Sequence, residues 1–310
     1  MSYVLETFNL SKRYKKQWAL RDVNMHVSRG DIYGFVGENG SGKTTVIRLV
    51  TGLIAPTEGS TALFGVDQGS PEILAMRRRT GAVVETPSIY MNMSASDNLR
   101  LQSSLLGIDK SIVEERVRKV LCDVGLSDLY ESKKSASNFS LGMRQRLGIG
   151  MTLIGDPEFI ILDEPMNGLD PVGIVETREL ILKLNREKNI TFLISSHILS
   201  ELEMVATKYG IISKGRLIKE ISAEQLKLEL RPSVTVESAD KEALLALVGN
   251  RFSSDDTVAT ESGVRIWGEV DLNSLLKEII DAGIVIDSIV CNQSGIEAYY
   301  LSLMGGASHG

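Results

Sequence analysis

Apolar residues in this chain group into short continuous runs and into longer runs with helical spacing. Residues 31–36, 159–162 and 190–194 are of the first kind: each is apolar without polar alternation, which predicts strands of a parallel sheet covered on both faces. The first run enters the loop GENGSGKTT and a helix-like stretch over 46–52. The second ends in Asp163 and Glu164, and the third in Ser195, Ser196 and His197. Residues 173–188, between the second and third runs, read as the crossover helix. From about 97 to 155 the spacing becomes helical, with Ile112, Val113, Val117, Val120, Leu121 and Val124 on one face and Glu114 and Arg118 spaced as an i,i+4 ion pair. A helical insert in an α/β core accounts for this order.

Beyond Lys219 the pattern changes, with the break at Arg231-Pro232. A strand over 233–237, a helix over 241–248, a hairpin through Glu261-Ser262-Gly263, a helix over 272–282 and a strand over 284–291 give the order β-α-β-β-α-β of a split βαβ, ferredoxin-like α+β domain. A short helix over 296–304 and a frayed GGASHG tail complete the expectation. The domain boundaries read from the sequence are 1–220, with a helical subdomain over about 86–155, and 231–310.

At 310 residues the chain has room for two unequal units, and 43% hydrophobic with 24% charged residues is an ordinary globular balance. Residues 1–220 carry 28 basic against 26 acidic side chains, whereas 221–310 carry 6 against 14. The acidic second part argues against a nucleic-acid partner. Cys122 and Cys291 have no CxxC or Cys/His neighbourhood and read as reduced thiols, which suits a cytoplasmic address. No stretch reaches the ~18 consecutive apolar residues of a membrane span, and the N-terminus lacks the apolar centre of a signal peptide, so any link to a membrane runs through a partner.

Gly37 to Thr44 fit the P-loop pattern G-x-x-x-x-G-K-[ST] in the strand-to-helix setting that the pattern requires. Glycines let backbone N–H groups approach a phosphate, and the following helix offers its positive end. The candidate nucleotide-binding set is therefore Gly37, Asn39, Gly40, Ser41, Gly42, Lys43, Thr44 and Thr45. Lys43 would reach the β and γ phosphates, and the Thr44 hydroxyl would ligate Mg²⁺. Asp163, closing a buried strand, would hold the Mg²⁺ shell, and Glu164 would polarise the attacking water. The alternative is that these two acids only cap the next helix.

The segment Phe139-Ser140-Leu141-Gly142-Met143-Arg144-Gln145-Arg146 resembles the signature motif of ABC ATPases. Pro165-Met166-Asn167-Gly168-Leu169-Asp170 resembles their D-loop, Ser196-His197 their switch histidine, and Tyr14 stands where their adenine-stacking aromatic does. The resemblance covers roughly residues 3–220. It implies a P-loop ABC ATPase core binding ATP and Mg²⁺, and a head-to-tail pair, homo- or heteromeric, in which Ser140 and Gly142 close over the partner's nucleotide. It also implies that His197 senses the γ-phosphate, that Asp170 belongs to the site, and that separate transmembrane permease subunits hold the ATPase at the inner face of the membrane.

Two departures stand out. Leu141 and Met143 replace a glycine and the glutamine of the usual signature, and Glu85 replaces the Q-loop glutamine. Glu85 either joins the metal and catalytic groups or faces the transmembrane partner. With Asn98-Leu99 and the extra C-terminal domain, these features resemble the ABC ATPases of bacterial lantibiotic-immunity and bacitracin-resistance exporters, which implies export of a peptide antibiotic or similar amphiphile. A P-loop kinase is disfavoured by the signature and D-loop, and a ribosome- or nucleic-acid-linked ABC protein by the single P-loop and the lack of sustained heptads. Trp18 and Trp267 read as packing residues; Lys12-Arg13 with Lys15-Lys16, and Arg77-Arg78-Arg79, read as solvated faces without a specific role, though the first lies where nucleotide phosphates could be steered; His26 and His309 carry no assigned role.

Overall fold

The structure is a computed structural model that describes residues 3–292 together with Tyr299 and Leu303. Three strands come first, β1 (Tyr3–Tyr14), β2 (Gln17–Val23) and β3 (His26–Ser28), followed by β4 (Ile32–Val36) and α1 (Lys43–Val50). Next are β5 (Glu58–Leu63), β6 (Val66–Asp67), α2 (Ile73–Arg78) and β7 (Thr80–Val83), then the helices α3 (Ala95–Leu105), α4 (Lys110–Asp123) and α5 (Leu141–Leu153). The α/β alternation resumes with β8 (Phe159–Asp163), α6 (Pro171–Lys188), β9 (Thr191–Ser196), α7 (Leu199–Glu203), β10 (Lys208–Ser213) and β11 (Arg216–Ser222). The chain divides into two compact units, Met1–Ala223 and Glu224–Gly310.

In the first unit a six-stranded sheet has the order β11-β10-β4-β9-β8-β7, parallel throughout except for the β10/β11 pair. Every residue of β4, β8 and β9 is buried, which is why their sequences show no alternation. Parallel direction and adjacency bring their carboxyl ends to one edge, where α/β sheets bind ligands. A second, antiparallel sheet runs β2-β1-β5-β6 with β3 on β1. Sequence reading found only a strand near Met25 in this sheet. Register shifts between Leu10 and Lys12 and between Lys12 and Arg13 break the period-2 pattern that would have exposed β1. One core cluster joins both sheets to α1 through Leu10, Leu20, Phe35, Ile47, Phe159 and Leu193.

The helical insert is less continuous than its spacing suggests. Between α4 and α5 the chain forms only two single 3-10 turns, Ser127–Leu129 and Ala136–Asn138. Val117, Val120, Leu121 and Val124 are buried, but Ile112, in the first turn of α4, is exposed. The expected Glu114/Arg118 pair is replaced. Arg100 grips Glu114 with two guanidinium nitrogens, at 2.7 and 2.9 Å, and Arg118 lies 4.6 Å from the Tyr130 ring centroid. A bidentate guanidinium from the neighbouring helix is the stronger partner, and it holds the Glu114 carboxyl down at about 2. Arg79 likewise leaves the solvated triplet: its Nε lies 2.5 Å from Glu158 and its guanidinium 4.1 Å from the Phe64 ring. His26 finds a structural partner in Glu220, 3.0 Å away.

The second unit opens with α8 (Ala223–Glu229), whose first residue closes the first unit, and β12 (Ser233–Glu237), α9 (Lys241–Arg251), β13 (Thr257–Ala259), β14 (Gly263–Trp267), α10 (Leu272–Asp281) and β15 (Ser288–Asn292) follow in order. Their sheet is antiparallel, β13-β14-β12-β15, with β14 inserted between β12 and β13 as a split βαβ requires. The last strand begins at Ser288, later than the apolar run suggests. Ile284 and Ile286 pack into the core by themselves, so a buried run begins before ladder pairing does. That core also gathers Val236, Leu244, Val264 and Leu275. Apart from Tyr299 and Leu303, the expected helix over 296–304 and the tail with His309 lie outside the described residues. Cys122 and Cys291 are both free and exposed.

Candidate functional site

The phosphate-loop segment leaves β4 at Gly37, whose N–H donates to the Ser196 carbonyl at 3.3 Å and ties the loop to the end of β9. A Cβ on Gly37 would lie 2.4 Å from Ser41 Oγ and 2.5 Å from the Ile212 carbonyl, so only glycine lets the loop fold back here. Gly42 precedes α1 at φ 111°, a left-handed conformation, and no side chain caps that helix. The N–H groups of the first turn of α1 are thereby left for an anion. Ser41 Oγ is buried without a hydrogen-bond partner in the same loop.

Lys43 is 6% exposed, and its ammonium donates to the Gly37 carbonyl at 2.6 Å and the Glu38 carbonyl at 3.3 Å. It also lies 3.2 Å from Glu164 Oε1, while the other Glu164 oxygen is 2.7 Å from His197 Nδ1. The loops after β4, β8 and β9 thus meet in one chain of contacts, Lys43–Glu164–His197. Beneath it, Ser195 Oγ donates to Asp163 Oδ1 at 2.6 Å and accepts the Glu164 N–H at 2.8 Å. Asp163 is 3% exposed, and Glu164 sits at φ 49°, a strained left-handed conformation that this serine helps to hold.

Asn39, Gly40, Thr44 and Thr45 line an open cleft of about 260 Å³ with Lys43 and Glu164. Asn167 of the D-loop-like segment and Ala19, which carries no sequence signal of its own, also line it. Asp163 and Glu164 cap no helix, because α6 begins at Pro171 with Asp170 Oδ1 accepting the Gly173 N–H at 3.1 Å. Ser140 caps α5 in the same way through the Met143 N–H, at 3.1 Å, and is itself exposed beside exposed Leu141. Tyr14 ends β1, is 46% exposed as a residue, and has the Lys12 ammonium 5.4 Å from its ring centroid. Tyr14, Ser140, Gly142, Asp170 and Glu85 do not line the cleft. Glu85, at φ 63°, pairs with Arg48 of α1 on the surface and not with Lys43, Asp163 or Glu164. The roles of Ser195 and Arg48 were not legible in the sequence, since a serine at a strand end and an arginine on a helix are common features without a motif.

The ABC transporter family model matches residues 20–167. The bacitracin transport ATP-binding protein BcrA of Bacillus licheniformis is 40% identical over 314 residues, covering the whole of both chains. This chain belongs to the ABC transporter ATP-binding proteins. As a member of that family it is an ATPase. The lantibiotic transport ATP-binding protein SrtF of Streptococcus pyogenes is 41% identical over 217 residues, 70% of this ABC ATPase and 90% of SrtF. Among solved structures, cbiO1 of Clostridium perfringens, described as part of the ABC transporter complex cbiONQ, superposes with a TM-score of 0.67 at 25% identity, covering 74% of this chain and 92% of its own. No helix among the described residues is long and apolar enough to cross a membrane.

Proposed function

We propose that this ABC ATPase drives an exporter of a peptide antibiotic or similar amphiphile, working as a dimer against separate transmembrane permease subunits at the inner face of the cell membrane. The end-to-end match to a bacitracin transport ATP-binding protein supports the cargo class. The Lys43–Glu164–His197 chain in front of the glycine loop carries the mechanism.

In this reading the N–H groups of the 37–45 loop cradle the ATP phosphates and Lys43 neutralises the β and γ oxygens. Thr44, lining the cleft, and Asp163, with one oxygen already held by Ser195, are hard oxygen donors that fit Mg²⁺. When bound, that ion neutralises charge on the polyphosphate. Glu164 accepts the proton of the water that attacks the γ-phosphorus, and His197 orients Glu164 and contacts the γ-phosphate. Tyr14 offers its exposed ring to adenine. The exposed Ser140 end of α5, with Gly142, is presented to the nucleotide of a second subunit, and the D-loop segment through Asp170 lies beside that face, a Cβ on Gly168 being 3.5 Å from Leu141 Cδ2.

Glu164→Gln keeps the shape of the side chain and removes its basicity. Phosphate release by this variant is expected to fall by about 100-fold or more while ATP stays bound in a dimer resolved by size exclusion. Turnover at the wild-type rate would move the base elsewhere. Purification from native membranes is expected to yield a detergent-stable complex with a polytopic protein, and association with ribosomes or DNA in its place overturns the transport reading.

A further inference from the structure

Between residues 12 and 21 the chain carries five cations, Lys12, Arg13, Lys15, Lys16 and Arg21, and no acid. None of the five has a carboxylate partner among the described residues, and the nearest acid in sequence, Asp22, faces Arg216 at 3.7 Å. Elsewhere in the unit Arg29, Arg79, Arg100 and Arg146 each contact a carboxylate, which cancels much of their charge. Arg13 and Arg21 instead lie 5.3 and 5.0 Å from the Trp18 ring. A cation–π contact places a guanidinium without cancelling its charge. Lys15 and Lys16 form the exposed turn between β1 and β2.

Backbone hydrogen bonds fix this cationic strip beside the cleft. The Arg21 N–H donates to the Gly215 carbonyl at 2.8 Å, and the Gly215 N–H donates to the Ser41 carbonyl of the phosphate loop at 2.9 Å. Ala19 of β2 lines the cleft itself. The turn that carries Gly215 adds one more exposed cation, Lys214. Glu38 is the one acid of the glycine loop.

We propose that this cationic rim, formed by the β1–β2 hairpin and the β10–β11 turn, steers polyphosphate anions into the cleft and sets the rate at which nucleoside triphosphate is captured. The inference rests on the reading of the cleft as the nucleotide site. Exposed charges within a Debye length, about 10 Å at 0.1 M salt, act on an approaching anion before any contact forms. They raise the association rate and leave the dissociation rate to the groups that touch the bound ligand. The side chains stand on an open surface with no buried socket, which suits steering better than a second binding site.

Stopped-flow mixing of the full chain with a fluorescent ATP analogue, from about 20 to 500 mM salt, tests the proposal. The wild-type association rate is expected to fall steeply with salt, and the corresponding ADP analogue, with less charge, to show a shallower slope. Lys15→Gln/Lys16→Gln/Arg21→Gln/Lys214→Gln is expected to lower the association rate about 5- to 10-fold at low salt, to converge with wild type at high salt, and to leave the dissociation rate unchanged. The double variant Lys15→Gln/Lys16→Gln, confined to an exposed turn, gives part of the same effect without risk to the fold. Equal salt slopes in wild type and both variants, or a change confined to dissociation, overturn the proposal. Loss of binding to phosphatidylglycerol vesicles with an unchanged ATP association rate would assign the strip to a membrane surface and overturn it too. Failure of the wild-type chain to bind the ATP analogue at any salt would instead overturn the nucleotide reading of the cleft.

Discussion

Ser195 holds two groups at once, the buried Asp163 carboxylate and the Glu164 N–H. Replacing it with alanine removes a donor from a buried charge and an acceptor from a strained peptide. A buried group left unsatisfied costs about 1–3 kcal/mol, so Ser195→Ala is expected to lower the melting temperature by several degrees and to reduce kcat more than it raises the KM for ATP. Steady-state kinetics with thermal unfolding check this; an unaltered kcat would mean that Glu164 keeps its position without the serine. Of the candidate groups brought together here, Lys43 was legible from the phosphate-loop pattern, Asp163 and Glu164 from their place at the end of a buried strand, and His197 from the resemblance to ABC ATPases. Ser195 was not, because its role depends on partners supplied by the neighbouring strand. Glu85 shows the converse: its place in the sequence suggested the metal or the transmembrane partner, whereas its carboxylate meets Arg48, a contact that only packing against α1 creates.

At the scale of elements, the starts of β7 and β8 and the turn before β4 are joined by one carboxylate. Glu158 lies 2.5 Å from both Arg79 and Arg29, and the hydrogen bonds from these guanidiniums hold its carboxyl down at about 2. Because the folded pKa is depressed from an ordinary value of 4.5, the contribution of this group is fully present above about pH 5 and is lost as the pH falls toward 2. The pair is partly exposed, so the effect is at most about 1 kcal/mol. Glu158→Gln is therefore expected to flatten the acid limb of the stability-pH profile between about pH 5 and 2 while changing little below it, as read from denaturant midpoints. An acid limb identical to wild type would show that the cluster adds nothing. Sequence reasoning treated Arg79 as solvated, because charge spacing along one segment does not show which acid another loop delivers.

For the molecule as a whole, each unit has its own hydrophobic core, and Val236 is fully buried in the smaller one. Val236→Ala removes two methyl groups and is expected to destabilise the smaller unit by roughly 1–3 kcal/mol. Calorimetry is expected to resolve two transitions, with the substitution lowering only one and ATP with magnesium raising only the other. A single transition moved by both would show that the units unfold as one. Such a result would leave the proposed nucleotide cleft unchanged, since every residue that lines it lies in the first unit.

The sequence by itself determined the family resemblance, the three core strands, the phosphate loop and the β-α-β-β-α-β order of the second unit, because each is written in neighbouring residues through hydrophobic period, glycine placement or a fixed motif. Tertiary structure alone decided the antiparallel sheet around a bulged β1, the partners of Arg79, Glu114 and Glu85, the Ser195 bridge, and the hydrogen bonds that set the basic hairpin against the phosphate loop. Those depend on which distant segments meet, and long-range pairing leaves no local pattern from which to read it.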